Sequence, residues 1–140
     1  MAIVIKKIIS EIDDKKFWVK AKHNGKTLQV YVIDQRNCIN TYLDKEITFE
    51  MEYESILNWK IIDKFNQEDS GLFCNGDNTI VRGMIHNFIE TDNDIIIDIY
   101  IMNGADFLAI LSSEIEHYIP KGKEGIELVV KNLCIYPVHY

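Results

Sequence analysis

The apolar residues of this chain follow one strand-like pattern twice. From Ile3 onward, strand patterns and turns surround the pair Asn24-Gly25, and from Ile80 onward a similar order surrounds Asn103-Gly104. The offset is 77 positions from Ile3 to Ile80 and 79 positions from Asn24 to Asn103. A sequence repeat predicts two similar structural units, and no single residue of this chain constrains the fold as strongly. Two alternating hairpins also look alike without a common origin, so both interpretations are open.

Alternation of apolar and polar residues is typical of a strand with one buried and one solvated face. The clearest example is segment 47–54. Its apolar residues Ile47, Phe49, Met51 and Tyr53 alternate with Thr48 and three glutamates. Segments 17–21 and 28–32 follow the same period. In contrast, segment 95–101 is apolar except at Asp98, which predicts a strand buried more deeply than its counterpart in the first copy.

Turn residues separate these strand patterns. Asn24-Gly25 and Asn103-Gly104 each lie between two strands, and both residue types accept the positive φ that two-residue hairpin turns require. Asp13-Asp14 and the segment 92–94 mark the preceding turns by similar chemistry. Residues 66–78 are rich in turn formers and predict the joint between the copies.

The predicted fold is all-β, with two similar antiparallel units that form an OB-like barrel or a sandwich. Short helical insertions are predicted at 37–43 and 113–119. The first repeat is assigned to residues 1–65, the connecting loop to 66–78 and the second repeat to 79–140. Units of about 60 residues bury little surface alone, so we expect one cooperative domain. The pattern leaves open whether the repeats form one barrel or two.

A family resemblance is carried by five segments of the second copy: Val81-Arg82-Gly83-Met84-Ile85, Phe107-Leu108-Ala109-Ile110, Pro120-Lys121-Gly122-Lys123-Glu124, Ile126–Val130 and Leu133–Pro137. Together they resemble the TOBE segments of ABC transporter ATPases and molybdate-responsive proteins, which are OB-like barrels. The resemblance implies an oxyanion-binding module without an attached ATPase, since the chain has no Walker motif. The first copy lacks a counterpart of Gly83 and of the Lys-Gly-Lys turn. Oxyanion binding would require a pocket, which a sequence does not show, so no oxyanion site is assigned.

Charge is divided unevenly along the chain, whose net charge is −7. Residues 1–65 hold 11 Lys and Arg against 10 Asp and Glu, whereas residues 66–140 hold 4 against 12. An acidic surface repels phosphate backbones and suits either solubility or a basic protein partner.

Cysteine usage and hydropathy predict a cytoplasmic protein. The three cysteines, Cys38, Cys74 and Cys134, are widely spaced and form no CxxC pair, which favours reduced thiols over disulfides or zinc. The N-terminus is interrupted by Lys6 and Lys7 and does not resemble a secretory signal. No apolar run approaches the roughly 20 residues that span a bilayer, so no membrane association is expected.

No motif for catalysis or metal binding stands out. The histidines are scattered, and their spacing forms no metal motif: His23, His86, His117 and His139. Asp92, Asp94 and Asp98 offer oxygen ligands, but the central glycine and distal glutamate of a calcium loop are missing, which favours a solvated turn. The sequence therefore predicts a protein that is not an enzyme and needs no cofactor or metal.

A basic hairpin is the sharpest local feature. Its lysines surround Trp18, and alternation places Trp18, Lys20 and Lys22 on one face. Aromatic rings between lysines are how OB-folds hold single-stranded nucleic acid, by stacking and phosphate neutralisation. The alternative is an edge strand that lysines protect from pairing with other chains. The acidic strand that contains Glu50 and Glu52 could instead lie nearby and neutralise the lysines.

Together these patterns favour a non-enzymatic binding protein. We expect its partner to be another protein, with an immunity- or antitoxin-type inhibitor of a basic toxin as the leading hypothesis. The alternative is an OB-like module that binds single-stranded nucleic acid or a small anion, and a homodimer through exposed strand edges is also open. The candidate binding residues are Trp18, Lys20, Lys22, Lys26, Glu50, Glu52, Glu54, Asp92 and Asp94.

Overall fold

The computed structural model describes residues 3–36, 38–101 and 106–138, and it confirms the predicted all-β class. The strands are β1 (Ile3–Glu11), β2 (Lys16–His23), β3 (Lys26–Ile33), β4 (Glu46–Ile47), β5 (Phe49–Glu52), β6 (Ser55–Ile62), β7 (Gly71–Asn75), β8 (Asn78–Glu90), β9 (Ile95–Ile101), β10 (Asp106–Leu111), β11 (Gly125–Lys131) and β12 (Cys134–Pro137). No helix in these ranges is long and apolar enough to cross a membrane.

The predicted helical insertions are short 3-10 turns. One spans Ile39–Tyr42 and another Ser112–Ile115, while a third, Gln67–Asp69, lies in the predicted joint. Asn37, where the first insertion was predicted to begin, lies outside the described residues. A left-handed residue, Glu116 with φ of 58°, ends the second insertion before it reaches the predicted boundary at Ile119.

The strands form two sheets. The first has the order β4-β1-β2-β3-β12-β5, and the second has the order β10-β9-β8-β11-β6. The short strand β7 pairs with the first part of the long strand β8. Neighbouring strands are antiparallel except β3 and β12, which are parallel.

Two strands pair in the sheet that is formed mainly by strands of the other predicted repeat. Strand β6, from residues 1–65, pairs with β11 in the second sheet, and β12, from residues 79–140, lies between β3 and β5 in the first sheet. The repeat boundaries therefore do not coincide with the sheets. The internal duplication stays a prediction.

Buried apolar side chains from both sheets form one core. Val19, Val30 and Ile135 come from the first sheet, while Ile99 and Leu128 come from the second. The burial alternates along β2 and β3 as the period of two predicts. Each strand therefore has an inner face in the core and an outer face directed away from it.

The turn at Asn24-Gly25 is confirmed. Asn24 has a φ of 52° and Gly25 a φ of 74°, which is the left-handed pair that a type I′ hairpin needs. The turn brings His23 opposite Lys26 and so pairs β2 with β3. The corresponding prediction at Asn103-Gly104 lies outside the described residues.

Candidate functional site

The outer face of β8, β9 and β10 carries rows of apolar side chains. Cross-strand pairing places Ile89, Ile96 and Leu111 in one row. A second row joins Met84, Tyr100 and Phe107. Residues directly opposite on an antiparallel pair share a face, so these rows form one surface. We call Ile89, Ile96, Tyr100, Phe107 and Leu111 the apolar face.

Much of this surface is open to solvent. Phe107 is 56% exposed, Ile89 53% and Leu111 40%. On the opposite side of the same strands Ile97, Ile99 and Leu108 and their neighbours are buried in the core. Strands that are apolar on both faces are typical of sheets covered on both sides. In the described parts of the chain, the inner side of β9 and β10 is covered, whereas the outer side is half-buried on β9 and exposed on β10.

An aromatic stack forms one end of the apolar face. The imidazole of His86 lies parallel to the ring of Tyr100, with centroids 3.9 Å apart and an interplanar angle of 10°. Phe107 packs on the other side of this pair, 6.0 Å from Tyr100. A register shift in β8 between Ile85 and Asn87 surrounds His86. Bulges of this kind redirect a side chain, and here His86 joins the aromatic row.

Carboxylates predominate in the segment that carries the apolar face, although Arg82 lies two residues before Met84 on β8 and Lys64 and Lys123 line a groove with Met84. Residues 83–120 contain no Lys or Arg, whereas their carboxylates are Glu90, Asp92, Asp94, Asp98, Asp106, Glu114 and Glu116. Asp98 lies between the two apolar rows, opposite Asn87 and Ala109. Asn87, Asp98 and Ala109 therefore separate the two apolar rows, and the carboxylates of the 90–94 turn form an acidic rim at one end of the surface.

The Asp94 carboxylate, in the turn between β8 and β9, is fixed by three hydrogen bonds. The Ser113 hydroxyl donates a 2.5 Å hydrogen bond to Asp94 Oδ2, and the backbone N–H groups of Ser113 and Ile95 donate to Oδ1 at 3.1 and 2.8 Å. These donors, led by the Ser113 hydroxyl, lower the pKa of Asp94. The carboxylate therefore stays charged at neutral pH, while Asp92 is exposed in the same turn.

The predicted basic residues lie on the first sheet, whereas the apolar face lies on the second. Trp18, Lys20 and Lys22 share the outer face of β2, as alternation predicts. Trp18 packs against Tyr31 with ring centroids 4.6 Å apart. Lys26 is set apart from them, because its ammonium lies 4.6 Å above the ring of Phe73.

The suggestion that these lysines protect an edge strand is wrong. Strand β2 pairs along its length with β1 on one side and with β3 on the other, so it has no free edge. Lysines protect a sheet from aggregation only where backbone groups are unpaired. Their presence on an interior strand needs another explanation.

The predicted acidic residues on and after β5 do not neutralise the lysines. In the first sheet, β3 and β12 lie between β2 and β5. Glu52 accepts a 2.5 Å hydrogen bond from the Tyr136 hydroxyl, and Glu54 forms a 3.2 Å ion pair with Lys131. Glu50 is exposed opposite Tyr136. The structure therefore separates the nine predicted binding residues into basic, acidic and turn groups.

The described ranges contain no group of three or more His, Cys, Asp or Glu side chains that could hold a metal ion. His23 is buried beside Asn24, and His117 is exposed near the turn that holds Asp94. His139 lies outside the described residues. The thiols of Cys38, Cys74 and Cys134 are free and lie in three separate places.

No protein-family profile, curated protein or solved structure matches the chain. The resemblance to TOBE and OB-like modules therefore stays a prediction.

Sequence reasoning missed the residues of the apolar face. The signal was present, because segment 95–101 is apolar on both faces and Phe107 and Leu111 continue the pattern on the next strand. This pattern was interpreted only as deep burial within the chain.

Proposed function

We propose that the protein is a non-enzymatic binding protein whose apolar face takes up a basic protein partner, as an immunity- or antitoxin-type inhibitor of a basic toxin would. One observation carries the proposal: among the described residues, strands β8 to β10 bury one side in the core, whereas their other side exposes large apolar side chains. Covering the other side with a partner would remove Phe107, Ile89 and Leu111 from water, which favours association.

The acidic rim favours a basic partner. Between residues 83 and 120 no positive side chain offsets the carboxylates. Complementary charge speeds diffusional encounter and excludes partners of the wrong sign. A second copy of this chain would bring the same acidic rim against itself, and like-charge repulsion disfavours that dimer.

The size of the apolar face suits the centre of an interface. Three strands about 4.8 Å apart and five residues long span roughly 240 Å². A stable interface covers about 800 Å² on each partner, with an apolar centre and a polar rim. The aromatic row of Tyr100 and Phe107 would act as the anchor, and the turn that contains Asp92 and Asp94 would belong to the rim.

The cytoplasm is the compartment where we expect the complex to form. The free thiols at Cys38, Cys74 and Cys134 suit a reducing environment, in which they would stay unpaired. A toxin inhibitor of this kind protects the cell that makes both proteins.

The proposal predicts that a neighbouring gene encodes a basic protein, and a calorimetric titration with that protein tests it. We expect saturable one-to-one binding that Phe107→Ser weakens at least tenfold. Leu57→Ser is the matched control, because Leu57 is 52% exposed and lies on β6, away from β10. Binding should also weaken as salt is raised.

Two results would contradict the proposal. One is equal binding by the wild type and the Phe107→Ser variant. The other is a concentration-dependent dimer in sedimentation that Phe107→Ser abolishes, because the apolar face would then be occupied by a second copy.

A further inference from the structure

Lys7 and Lys20 lie directly opposite each other on β1 and β2. Lys22 follows on the same outer face, and both Lys20 and Lys22 are exposed. Like charges directly opposite on an antiparallel pair destabilise the sheet. In the part of the chain that the structure describes, none of these three lysines forms an ion pair. Among the described residues these three ammonium groups therefore lie on one face without an ion pair, and Glu46 is the acidic side chain that shares a groove with Lys22.

Two aromatic rings lie next to these lysines on the outer face of the first sheet. Trp18 precedes Lys20 on the same face of β2, and Tyr31 lies opposite Trp18 on β3. Their rings are tilted by 54°, and the Lys16 ammonium lies 4.5 Å above Tyr31. We call Lys7, Trp18, Lys20, Lys22 and Tyr31 the lysine–aromatic face.

An open groove of about 550 Å³ adjoins the two rings. Trp18 and Tyr31 line one part of it, and the side-chain amides of Asn78 and Asn132 line another. Amide groups both donate and accept hydrogen bonds, as the edges of nucleic acid bases do. Asp77 and Lys131 also line the groove, so its own charges are balanced, and the positive charge of the face comes from Lys7, Lys20 and Lys22 beside it.

We propose that the lysine–aromatic face binds single-stranded nucleic acid. Lys7, Lys20 and Lys22 neutralise consecutive phosphates, and unpaired bases stack on Trp18 beside the groove, with Tyr31 packed against the indole as its support. Stacking requires bases that are free of a duplex, and it tolerates any sequence because every base has a π-face. Edge protection does not explain these lysines, since β2 lies inside the sheet.

Fluorescence anisotropy with a labelled oligothymidylate tests this proposal. Each phosphate contact contributes about −0.7 to the slope of log affinity against log salt for single strands. Three lysines therefore predict a slope of about −2. Lys20→Gln should reduce the slope by about 0.7, whereas Lys123→Gln, on an exposed loop, should leave it unchanged.

Stacking has a separate signature. Trp18→Leu should weaken binding about tenfold or more without changing the salt slope. An equally long duplex should bind more weakly than the single strand. Circular dichroism shows whether each variant is folded, and Lys7→Gln and Lys20→Gln keep the test valid if Trp18→Leu does not fold.

The proposal is overturned by an absence of binding at low salt. It is also overturned if inorganic polyphosphate competes as well as the oligonucleotide and Trp18→Leu has no effect, because the face would then be a simple anion site. The apolar face is on the other sheet, so Phe107→Ser should leave oligonucleotide binding unchanged. Failure of either binding proposal therefore leaves the other standing.

Discussion

Phe107 lies directly opposite Tyr100 on neighbouring antiparallel strands, with ring centroids 6.0 Å apart, yet 56% of Phe107 is exposed. Its neighbour Leu108 points the other way and is buried in the core. The two adjacent residues are both large and apolar, but only Leu108 has its surface covered by this chain. The exposed ring of Phe107 is therefore the feature on which the proposed partner interface rests.

This contrast predicts opposite outcomes for two adjacent substitutions. Phe107→Ser should change the free energy of unfolding by less than about 1 kcal/mol, because exposed positions contribute little. Leu108→Ala should cost about 2–5 kcal/mol, because it opens a cavity in the core. Urea unfolding of both variants measures the difference. A loss at Phe107 as large as that at Leu108 would show that Phe107 serves the monomer's own stability.

The opposed pair Lys7 and Lys20 predicts a stability cost that can be relieved. Lys20→Glu places an opposite charge across from Lys7 and should stabilise the fold by about 0.2–1 kcal/mol at low salt. The gain should shrink as salt screens the exposed pair. Urea unfolding at two salt concentrations measures this effect. Destabilisation by Lys20→Glu at low salt would mean that the lysines do not repel each other in the folded chain.

Gly83 on β8 allows a close approach to β9. A methyl group at this position would collide with the carbonyl oxygen of Tyr100 and lie 2.7 Å from Ile99 Cγ2. Gly83→Ala should therefore cost about 1–3 kcal/mol or more, because backbone cannot move aside cheaply. Asn87→Ala, at an exposed position on the same strand, is the control. Equal thermal unfolding of both variants would exclude this close packing.

Tyr136 predicts a change at alkaline pH. Its hydrogen bond to the Glu52 carboxylate, aided by burial, raises the pKa of Tyr136 from 10.0 to about 12. Because the pKa is higher in the folded than in the unfolded chain, the protonated Tyr136 hydroxyl contributes to the free energy of unfolding. This contribution is complete below pH 10 and is lost as the pH rises towards 12. Glu52→Gln removes the negative charge and should move the pKa of Tyr136 back towards 10.

Ultraviolet titration of tyrosinate measures this shift, and Tyr136→Phe identifies the signal that belongs to Tyr136. If Glu52→Gln leaves the titration of Tyr136 unchanged, the carboxylate does not cause the raised pKa.

The buried face of a strand and the position of a hairpin turn could be predicted from the neighbouring residues in the sequence. The alternation of Leu28, Val30 and Val32 predicts the buried face of β3, and Asn24-Gly25 predicts the hairpin because both residues accept positive φ. The pairing of β6 with β11 and of β12 with β3 could not be predicted in the same way. A period of two defines the faces of a strand, but it does not specify a partner that is distant in the sequence.

The apolar face shows a second limit of sequence patterns. Segment 95–101 predicts burial on both sides, and Ile97 and Ile99 confirm the inner side. The pattern does not distinguish a side covered by the same chain from a side covered by another protein. Only the three-dimensional structure reveals that Ile89, Phe107 and Leu111 on the outer side are exposed.

The most direct test of the apolar face is hydrogen–deuterium exchange with and without the basic protein that the proposal expects a neighbouring gene to encode. We predict that binding slows amide exchange in β9 and β10 and leaves β2 and β3 unchanged, because the partner covers the outer side of the second sheet. Slower exchange confined to β2 and β3, or no change in β9 and β10 at saturation, would contradict a partner on the apolar face.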